Sequence, residues 1–500
     1  MSPPRRFLPI LAALAAVCFP TSTADAHAFG QRYDLPLPLI YYIFGAGAVV
    51  ALTFVVMALF VREPADRPEA RHWAPWRGSF VLGQAGRLAG GVLQVTSVLV
   101  FAMIIIAGFF GEPNPTRNFA PTFVWVIWWV GLVYVQALIG DLWAIVNPWR
   151  IVHRWAAAIV SAPRRRPGGE PLLSYPEWLG YWPALVFFWI FAWLELVSGA
   201  AEDPPSLAWL IVGYSLVTWG GMTAFGRRIW LERAETFSVV FGFLARFAPL
   251  AVAHPDREEA ERTPALALRP PGVGLLVDKP LCLSAVAVVL LMLASVTFDG
   301  LAETPLWAGF LDWVVRSQDL RAPLLKLQGA GIDLLALLRT LGLVVTPLVF
   351  AVAYALFVTL TAAAAGEEIS PRRVAGSFVL TLVPIAFAYH LAHYFSFLLL
   401  AGQLIIPLLS DPFGFGWNLF GTANHAIDIG IVSMKTIWWV AVAAIVVGHL
   451  YAVYLAHVMA LRLFTGEHAA IRSQIPLMVL MVCYTMVSLW ILSQPIVETG

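Results

Sequence analysis

Long apolar segments alternate with shorter polar connections along most of the chain. Ten of these segments reach the roughly 18 residues that a helix needs to cross a hydrocarbon layer of ~30 Å. They cover residues 39–60, 92–111, 119–139, 182–199, 205–225, 280–298, 340–362, 376–402, 437–461 and 475–493. The pattern predicts an all-α fold, a polytopic bundle of about ten transmembrane helices.

Residues 1–26 have the pattern of a secretory signal peptide. Arg5 and Arg6 precede a short apolar core, and Ala24-Asp25-Ala26 is a cleavage site of small residues. Cleavage there would leave a single membrane domain, residues 27–500, that begins with His27. A competing site ends at Ala28, and its use would remove that histidine.

Lys and Arg are concentrated in alternate connections between the spans, which sets the orientation. We predict a bacterial inner-membrane protein whose mature N-terminus and C-terminus both lie outside. Residues 254–274 then form a charged, Pro-rich inner loop. The outer loops 299–335 and 408–436 are long enough to form a small cap over the bundle.

Composition supports the membrane assignment and excludes several other classes. Hydrophobic residues make up 60% of the chain and charged residues 12%, about half the charged fraction of a soluble protein. The formal net charge of +1 gives no reason to expect a nucleic-acid partner. The three cysteines lack CxxC spacing, so they predict neither a disulfide framework nor a cysteine metal site.

Three histidines inside apolar spans are the strongest candidates for chemistry. His390 and His393 are three residues apart, which places them on one face of a helix. His449 lies in the next span at a similar depth, roughly 15–18 Å below the outer end. The three imidazoles could bind zinc, copper or iron, and His393 and His449 could instead ligate a haem. The alternative is one interhelical hydrogen bond for each histidine.

Other polar residues allow competing interpretations. Asp299, Asp411 and His425 on the outer side could serve a hydrolytic divalent metal, but Asp299 before Gly300 and Asp411 before Pro412 are also turn signals. His27, as a mature N-terminus, could chelate copper. Glu195 and His457 are additional candidates inside the membrane, and a hydrogen bond is the favoured interpretation for His457. The cluster of Trp125, Trp128 and Trp129 is typical of helix packing.

Short motifs along most of the chain carry a family resemblance. They are residues 27–38, Gly140-Asp141-Leu142-Trp143, Asn147-Pro148-Trp149-Arg150, Glu232-Arg233-Ala234-Glu235-Thr236-Phe237, Phe298-Asp299-Gly300, His390-Leu391-Ala392-His393-Tyr394, Ser410-Asp411-Pro412-Phe413-Gly414, Gly448-His449 and Leu455-Ala456-His457. In these motifs the chain resembles bacterial polytopic proteins labelled fenitrothion hydrolases. The resemblance implies cleavage of a P–O–aryl bond in an organophosphorus triester, and a complex with a second membrane subunit.

Three functional hypotheses follow from these patterns. The first is a membrane-bound phosphotriesterase-type hydrolase, in which His390, His393 and His449 hold a metal and an apolar small-molecule substrate enters from the lipid bilayer. The second is a redox or metal-handling protein that contains haem or copper. The third is a transporter with a proton path through Glu195 and the histidines.

Overall fold

The computed structural model describes residues 33–61, 80–161, 171–253, 265–494 and 496. Ten of its helices are long and apolar enough to cross a membrane, which confirms the predicted all-α polytopic bundle. In chain order they are α1 (Leu39–Phe60), α2 (Phe80–Phe110), α3 (Phe119–Leu138), α4 (Trp182–Leu196), α5 (Pro204–Phe225), α6 (Leu283–Ala302), α7 (Leu334–Ala365), α8 (Pro371–Ser410), α9 (Met434–Leu463) and α10 (Glu467–Ser493).

Several helices extend beyond their apolar cores because polar residues cap them. The Asp333 carboxylate accepts the backbone N–H groups of Leu335 and Ala336, so α7 begins six residues before the predicted apolar segment. Its other end is closed by Gly366 in the left-handed conformation, with φ of 72°. The residues that α7 adds before the predicted segment are apolar except for Arg339, the charged residue after which that segment was placed.

Helices α6 and α8 form the centre of the bundle. In the most apolar 18-residue stretch of each helix, 78% of the α6 residues and 94% of the α8 residues are buried. Helix α8 packs closely against α9, where Gly448 lies over Ala388 and the Pro384 carbonyl. A side chain at Gly448 would collide with Ala388. This small-residue contact determines which face of α8 meets α9 and leaves its other faces for α3 and α6.

Two of the central helices contain an irregular segment. Residues Thr122–Gly131 of α3 form a π-helix, and residues Val379–Leu382 of α8 form a 3₁₀ turn just before Pro384. Proline lacks a backbone N–H and disfavours a regular α-helix before it, which accounts for the turn. The π-helix follows Pro121, and π segments inside α-helices are frequent at functional sites.

The segment after α5 enters the bundle and does not lie along its surface. After the helix Arg227–Arg233, the apolar helix Thr236–Ala245 is buried at eight of its ten positions. It is therefore a re-entrant helix. The hairpin of β1 (Leu250–Ala253) and β2 (Ala265–Leu268) follows, in antiparallel register with Leu250 opposite Leu268.

The remaining helices lie in the connections. Trp143–Val146 and Pro148–Ser161 follow α3, while Pro305–Arg316 and Gln318–Gly329 follow α6. The last two are mostly exposed, although Trp307 packs against Phe298 with ring centroids 5.4 Å apart. The predicted signal peptide, His27 and residues 254–264 lie outside the described residues.

Candidate functional site

A cluster of acidic, histidine and tyrosine side chains joins α6 to α8 near the predicted outer side. The Asp299 Oδ2 atom accepts the Tyr394 hydroxyl at 2.6 Å and lies 2.9 Å from the Nε2 atom of His393. The side chains of His393 and Asp299 are 13% and 18% exposed. The pair is therefore mostly shielded, yet still reachable by a small molecule.

Glu195, at the end of α4, extends the cluster toward α3. Its Oε1 atom accepts the Trp129 indole N–H at 2.7 Å and lies 3.5 Å from the Tyr394 hydroxyl. A tyrosine hydroxyl has a single hydrogen, and the shorter contact assigns it to Asp299. The oxygen of Tyr394 thus stands between two carboxylates that belong to different helices.

His390 lies beside the cluster but faces α3. Its Nε2 atom is 3.3 Å from the Val130 carbonyl, near the end of the π-helix, and its ring is 4.7 Å from that of Tyr394. A cavity of about 40 Å³ is lined by Glu195, His390, Tyr394 and neighbouring apolar residues. That volume is enough for a few water molecules and too small for a porphyrin or a drug-sized ligand.

The structure does not assemble the predicted three-histidine site. His390 faces α3, His393 faces α6, and His449 places its Nδ1 atom 2.8 Å from the carbonyl of Ile445 in its own helix. Among the described residues, no group of three or more His, Cys, Asp or Glu side chains is arranged to hold a metal ion. The metal prediction for His390, His393 and His449 is wrong in this structure, because Pro384, Ala388 and Gly448 form the contact between α8 and α9.

The haem prediction for His393 and His449 also does not fit. His449 is fully buried beside Tyr484 of α10, with ring centroids 5.9 Å apart. The ring nitrogen of His393 that faces the bundle is held by Asp299 of α6. The two imidazoles therefore belong to separate environments and do not face each other across a shared space.

The other two predicted catalytic residues are not part of the cluster. Asp411 accepts the backbone N–H groups of Phe415 and Gly416 at 2.9 and 2.7 Å, so both of its oxygens stabilise its own loop. His425 is exposed in the same loop. The turn interpretation is correct for Asp411. For Asp299 it is wrong, because α6 continues to Ala302.

His457 is a structural residue, as its favoured interpretation predicted. Its Nδ1 atom lies 2.9 Å from the Gln474 side-chain oxygen, and its Nε2 atom lies 2.7 Å from the Val61 carbonyl. Both ring nitrogens are thus occupied in a fully buried position, where an unpaired polar group would be costly. The interaction joins α9 to α10 and to the end of α1.

A second buried carboxylate, Glu235, lies at the start of the re-entrant helix. It is 0% exposed and accepts hydrogen bonds from five donors: the Phe237 N–H (3.0 Å), the Ser238 N–H (2.8 Å), the Ser238 hydroxyl (2.5 Å), the Tyr214 hydroxyl (2.6 Å) and the Asn147 amide (3.3 Å).

At the other end of this helix, Arg269 donates to the carbonyls of Ala245, Arg246 and Ala248. An anion at the N-terminus and a cation at the C-terminus both stabilise the helix dipole.

Two members of the cluster were not predicted from the sequence. Tyr394 directly follows His393, and its place next to a candidate histidine was the only available signal. Trp129 belongs to a tryptophan cluster that predicted helix packing, yet its indole N–H is bound to Glu195. Its ring does pack as expected, 4.6 Å from Phe191.

The cluster thus brings together carboxylate, imidazole and phenol groups, all of which can bind and exchange protons. No protein-family model matches the chain, and no curated protein or solved structure is significantly similar to it.

Proposed function

We propose that this multi-pass membrane protein is a transporter that carries protons across the bilayer, and that Glu195, Tyr394, Asp299 and His393 form its proton relay. The observation that carries the proposal is the position of the Tyr394 hydroxyl between two intramembrane carboxylates, 2.6 Å from Asp299 and 3.5 Å from Glu195. Ionisable groups inside a membrane are costly and typically mark ion or proton pathways.

The relay works by exchange of hydrogen bonds. A proton on Glu195 is donated to the Tyr394 oxygen while the Tyr394 hydrogen passes to Asp299 Oδ2. Asp299 then shares that proton with His393 Nε2, 2.9 Å away. The net result is the transfer of one proton from Glu195 to the Asp299–His393 pair, with Tyr394 returned to its neutral form.

Two buried polar groups extend toward the other side of the bundle. The Tyr389 hydroxyl and the His449 Nε2 atom are buried and have no hydrogen-bond partner among the described residues. The Tyr389 ring lies 6.3 Å from His393, and Tyr484, which packs against the same core as Tyr389, lies 5.9 Å from His449. We propose that the relay continues toward the predicted inner side through these two groups.

Proton flux into proteoliposomes containing a pH-sensitive dye tests the proposal. We expect a proton current in the wild-type protein and a loss of roughly 10²- to 10⁴-fold in Asp299→Asn, the range typical of a lost acid–base group. The matched control is Asp411→Asn, because that carboxylate is bound within its own loop. Equal currents in wild type and Asp299→Asn would exclude the relay.

A metal-independent phosphotriester hydrolase is the second candidate. It is favoured by the pairing of His393 with Asp299, the arrangement in which a carboxylate orients a histidine base. With Nε2 held by Asp299, Nδ1 is the atom that takes a proton from water. The hydroxide attacks phosphorus, and the aryloxide leaves with the electrons of the broken P–O bond. The resemblance to fenitrothion hydrolases supplies the substrate class.

Release of the aryl group from a fenitrothion-type triester, in membranes that contain the protein, tests this candidate. We expect activity that a chelator leaves unchanged and that His393→Gln abolishes. Activity that a chelator removes would contradict the metal-independent mechanism. Activity that survives in His393→Gln would exclude His393 as the base.

A further inference from the structure

A large apolar chamber lies between α2, α3, α4 and α5, apart from the acid–histidine cluster. Its volume is about 940 Å³, at the upper end of the ~300–1,000 Å³ of sites that hold drug-sized ligands. Among the described residues that line it there is no Asp, Glu, Lys, Arg or His. The chamber therefore suits a hydrocarbon ligand.

The chamber opens sideways into the bilayer between α4 and α5. These two helices are consecutive, yet their described residues scarcely pack against each other. Ile190 of α4 and Val217 of α5 both line the chamber and remain 41% and 47% exposed. Both side chains thus stand at a gap through which a lipid chain can enter without crossing water.

The depth of the chamber matches one leaflet of a membrane. Its lining on α5 runs from Ser206 to Val217, which is roughly 16 Å at 1.5 Å per residue. Half of a ~30 Å hydrocarbon core is nearly the same length. Trp143, Trp149 and Phe237 close the deep end, so a chain that enters from the predicted outer leaflet is held from its head group to its tip.

Water is a poor occupant because several polar atoms of the lining are already bound. The Trp143 indole N–H is buried without a hydrogen-bond partner among the described residues, but a single donor is too few to hold a water molecule. The Trp149 indole donates to Ser215 at 2.8 Å, the Tyr214 hydroxyl donates to Glu235, and the Ser97 hydroxyl donates to the Val146 carbonyl. A buried water needs two to four polar partners. A hydrocarbon chain needs none, and it fills the apolar volume by van der Waals packing against the lining.

The mouth of the chamber indicates which lipid fits best. Between the lining residues Ala200 and Ser206 lies an acidic turn, with Glu202 and Asp203 both exposed. Negative charge at this position attracts a head group that carries an ammonium and repels an anionic one. From the apolar lining, the leaflet-length depth and this charge, we propose that the chamber binds an acyl chain of an amine-bearing phospholipid from the predicted outer leaflet.

Two glycines of α5 provide a matched pair of variants. Gly213 lines the chamber and Gly220 does not, and an added Cβ would meet no atom within 4 Å at either position. Gly213→Trp fills the chamber, whereas Gly220→Trp places the same side chain on the same helix outside it. Both variants are tested as full-length protein in nanodiscs that contain phosphatidylethanolamine with a photoreactive acyl chain.

Cross-linking yield and native mass spectrometry are the measurements. We expect the wild type and Gly220→Trp to retain one phosphatidylethanolamine and to cross-link at chamber residues. In Gly213→Trp the yield at those residues is lost, because the indole occupies the volume in which the acyl chain packs. Phosphatidylglycerol with the same chains cross-links less in all three proteins.

Each contrary result overturns a stated part of the proposal. Wild-type cross-links confined to the outer surface of the bundle would exclude the chamber as a lipid site, and this result does not depend on the folding of any variant. Equal yields in Gly213→Trp and Gly220→Trp would do the same. A preference for phosphatidylglycerol, or a retained hydrocarbon that is not a phospholipid, would exclude the amine-bearing lipid as the occupant.

Discussion

The two buried carboxylate clusters of this bundle differ in how many of their hydrogen-bonding sites are committed. Glu235 accepts five hydrogen bonds, two of them from backbone N–H groups at the start of its own helix. Asp299 has two partners, both at one oxygen: the Tyr394 hydroxyl donates to Oδ2, and His393 Nε2 lies 2.9 Å from the same atom. The donors around Glu235 fix the start of a helix, whereas the partners of Asp299 are side chains that can exchange protons.

The difference shows that burial of a charged group does not by itself indicate function. Glu235 is more buried than Asp299, yet every donor around it has a structural purpose. What marks Asp299 is the chemistry of its partners, a histidine and a tyrosine, and a second carboxylate beyond them. Variants can separate the two roles, because one cluster should control stability and the other proton movement.

The largest expected effect is the loss of protein stability in the variant Glu235→Ala. Glu235→Ala leaves several buried donors without an acceptor, and we expect it to lower the free energy of unfolding by about 3–5 kcal/mol, since each bond to a charged group contributes about 1.5–3 kcal/mol. Unfolding in a fixed detergent checks this. Glu195→Gln is the control and should change stability by under about 1 kcal/mol. Similar losses in both variants would remove the distinction between the clusters.

Tyr394→Phe should have the opposite consequences, a large fall in proton flux and only a small change in stability. It keeps the aromatic ring beside His390 and His393 and removes only the hydroxyl between the two carboxylates. We expect proton flux to fall by about 100-fold, as for a lost acid–base group, with a change in stability of about 1 kcal/mol. Flux in proteoliposomes and unfolding in detergent are measured on the same preparation. A stable variant with normal flux would rule out Tyr394 as the bridge.

Asn147→Ala probes the Glu235 cluster more gently. The Asn147 amide donates to Glu235 at 3.3 Å and to the Ser238 hydroxyl at 3.2 Å, and its oxygen caps Arg150. We expect a loss of about 1–2 kcal/mol in unfolding free energy and unchanged proton flux per folded molecule. A loss of flux without a loss of stability would mean that this cluster also conducts protons.

The smallest expected effect is that of Trp129→Phe. The change removes the 2.7 Å hydrogen bond to Glu195 but retains an aromatic ring against Phe191. The Glu195 carboxylate is then held less firmly beside Tyr394, so we expect proton flux to fall by about threefold to tenfold, less than the loss of an acid–base group itself. Flux in proteoliposomes checks this. Unchanged flux would show that Trp129 does not position Glu195.

The spans and the candidate residues were predictable from the sequence to different degrees. Ten apolar segments gave ten helices, since a membrane requires long apolar helices whatever their neighbours are. Asp299 and His393 were both named, but with the wrong partners. Asp299 was grouped with Asp411 and His425 because all three lie on the predicted outer side, and His393 was grouped with His449 because they lie at a similar depth.

The depth of a residue along a helix follows from its position in the sequence. The direction in which its side chain points around the helix axis depends on how the helices pack. The sequence by itself determined the membrane-spanning architecture, the number of spans and the presence of ionisable groups inside them. The tertiary structure decided that Gly448 meets Ala388, which turns His393 toward Asp299 and away from His449. It also decided that a π-helix brings Trp129 to Glu195. Such contacts arise between residues distant in sequence, where shape complementarity and hydrogen bonding select the partners.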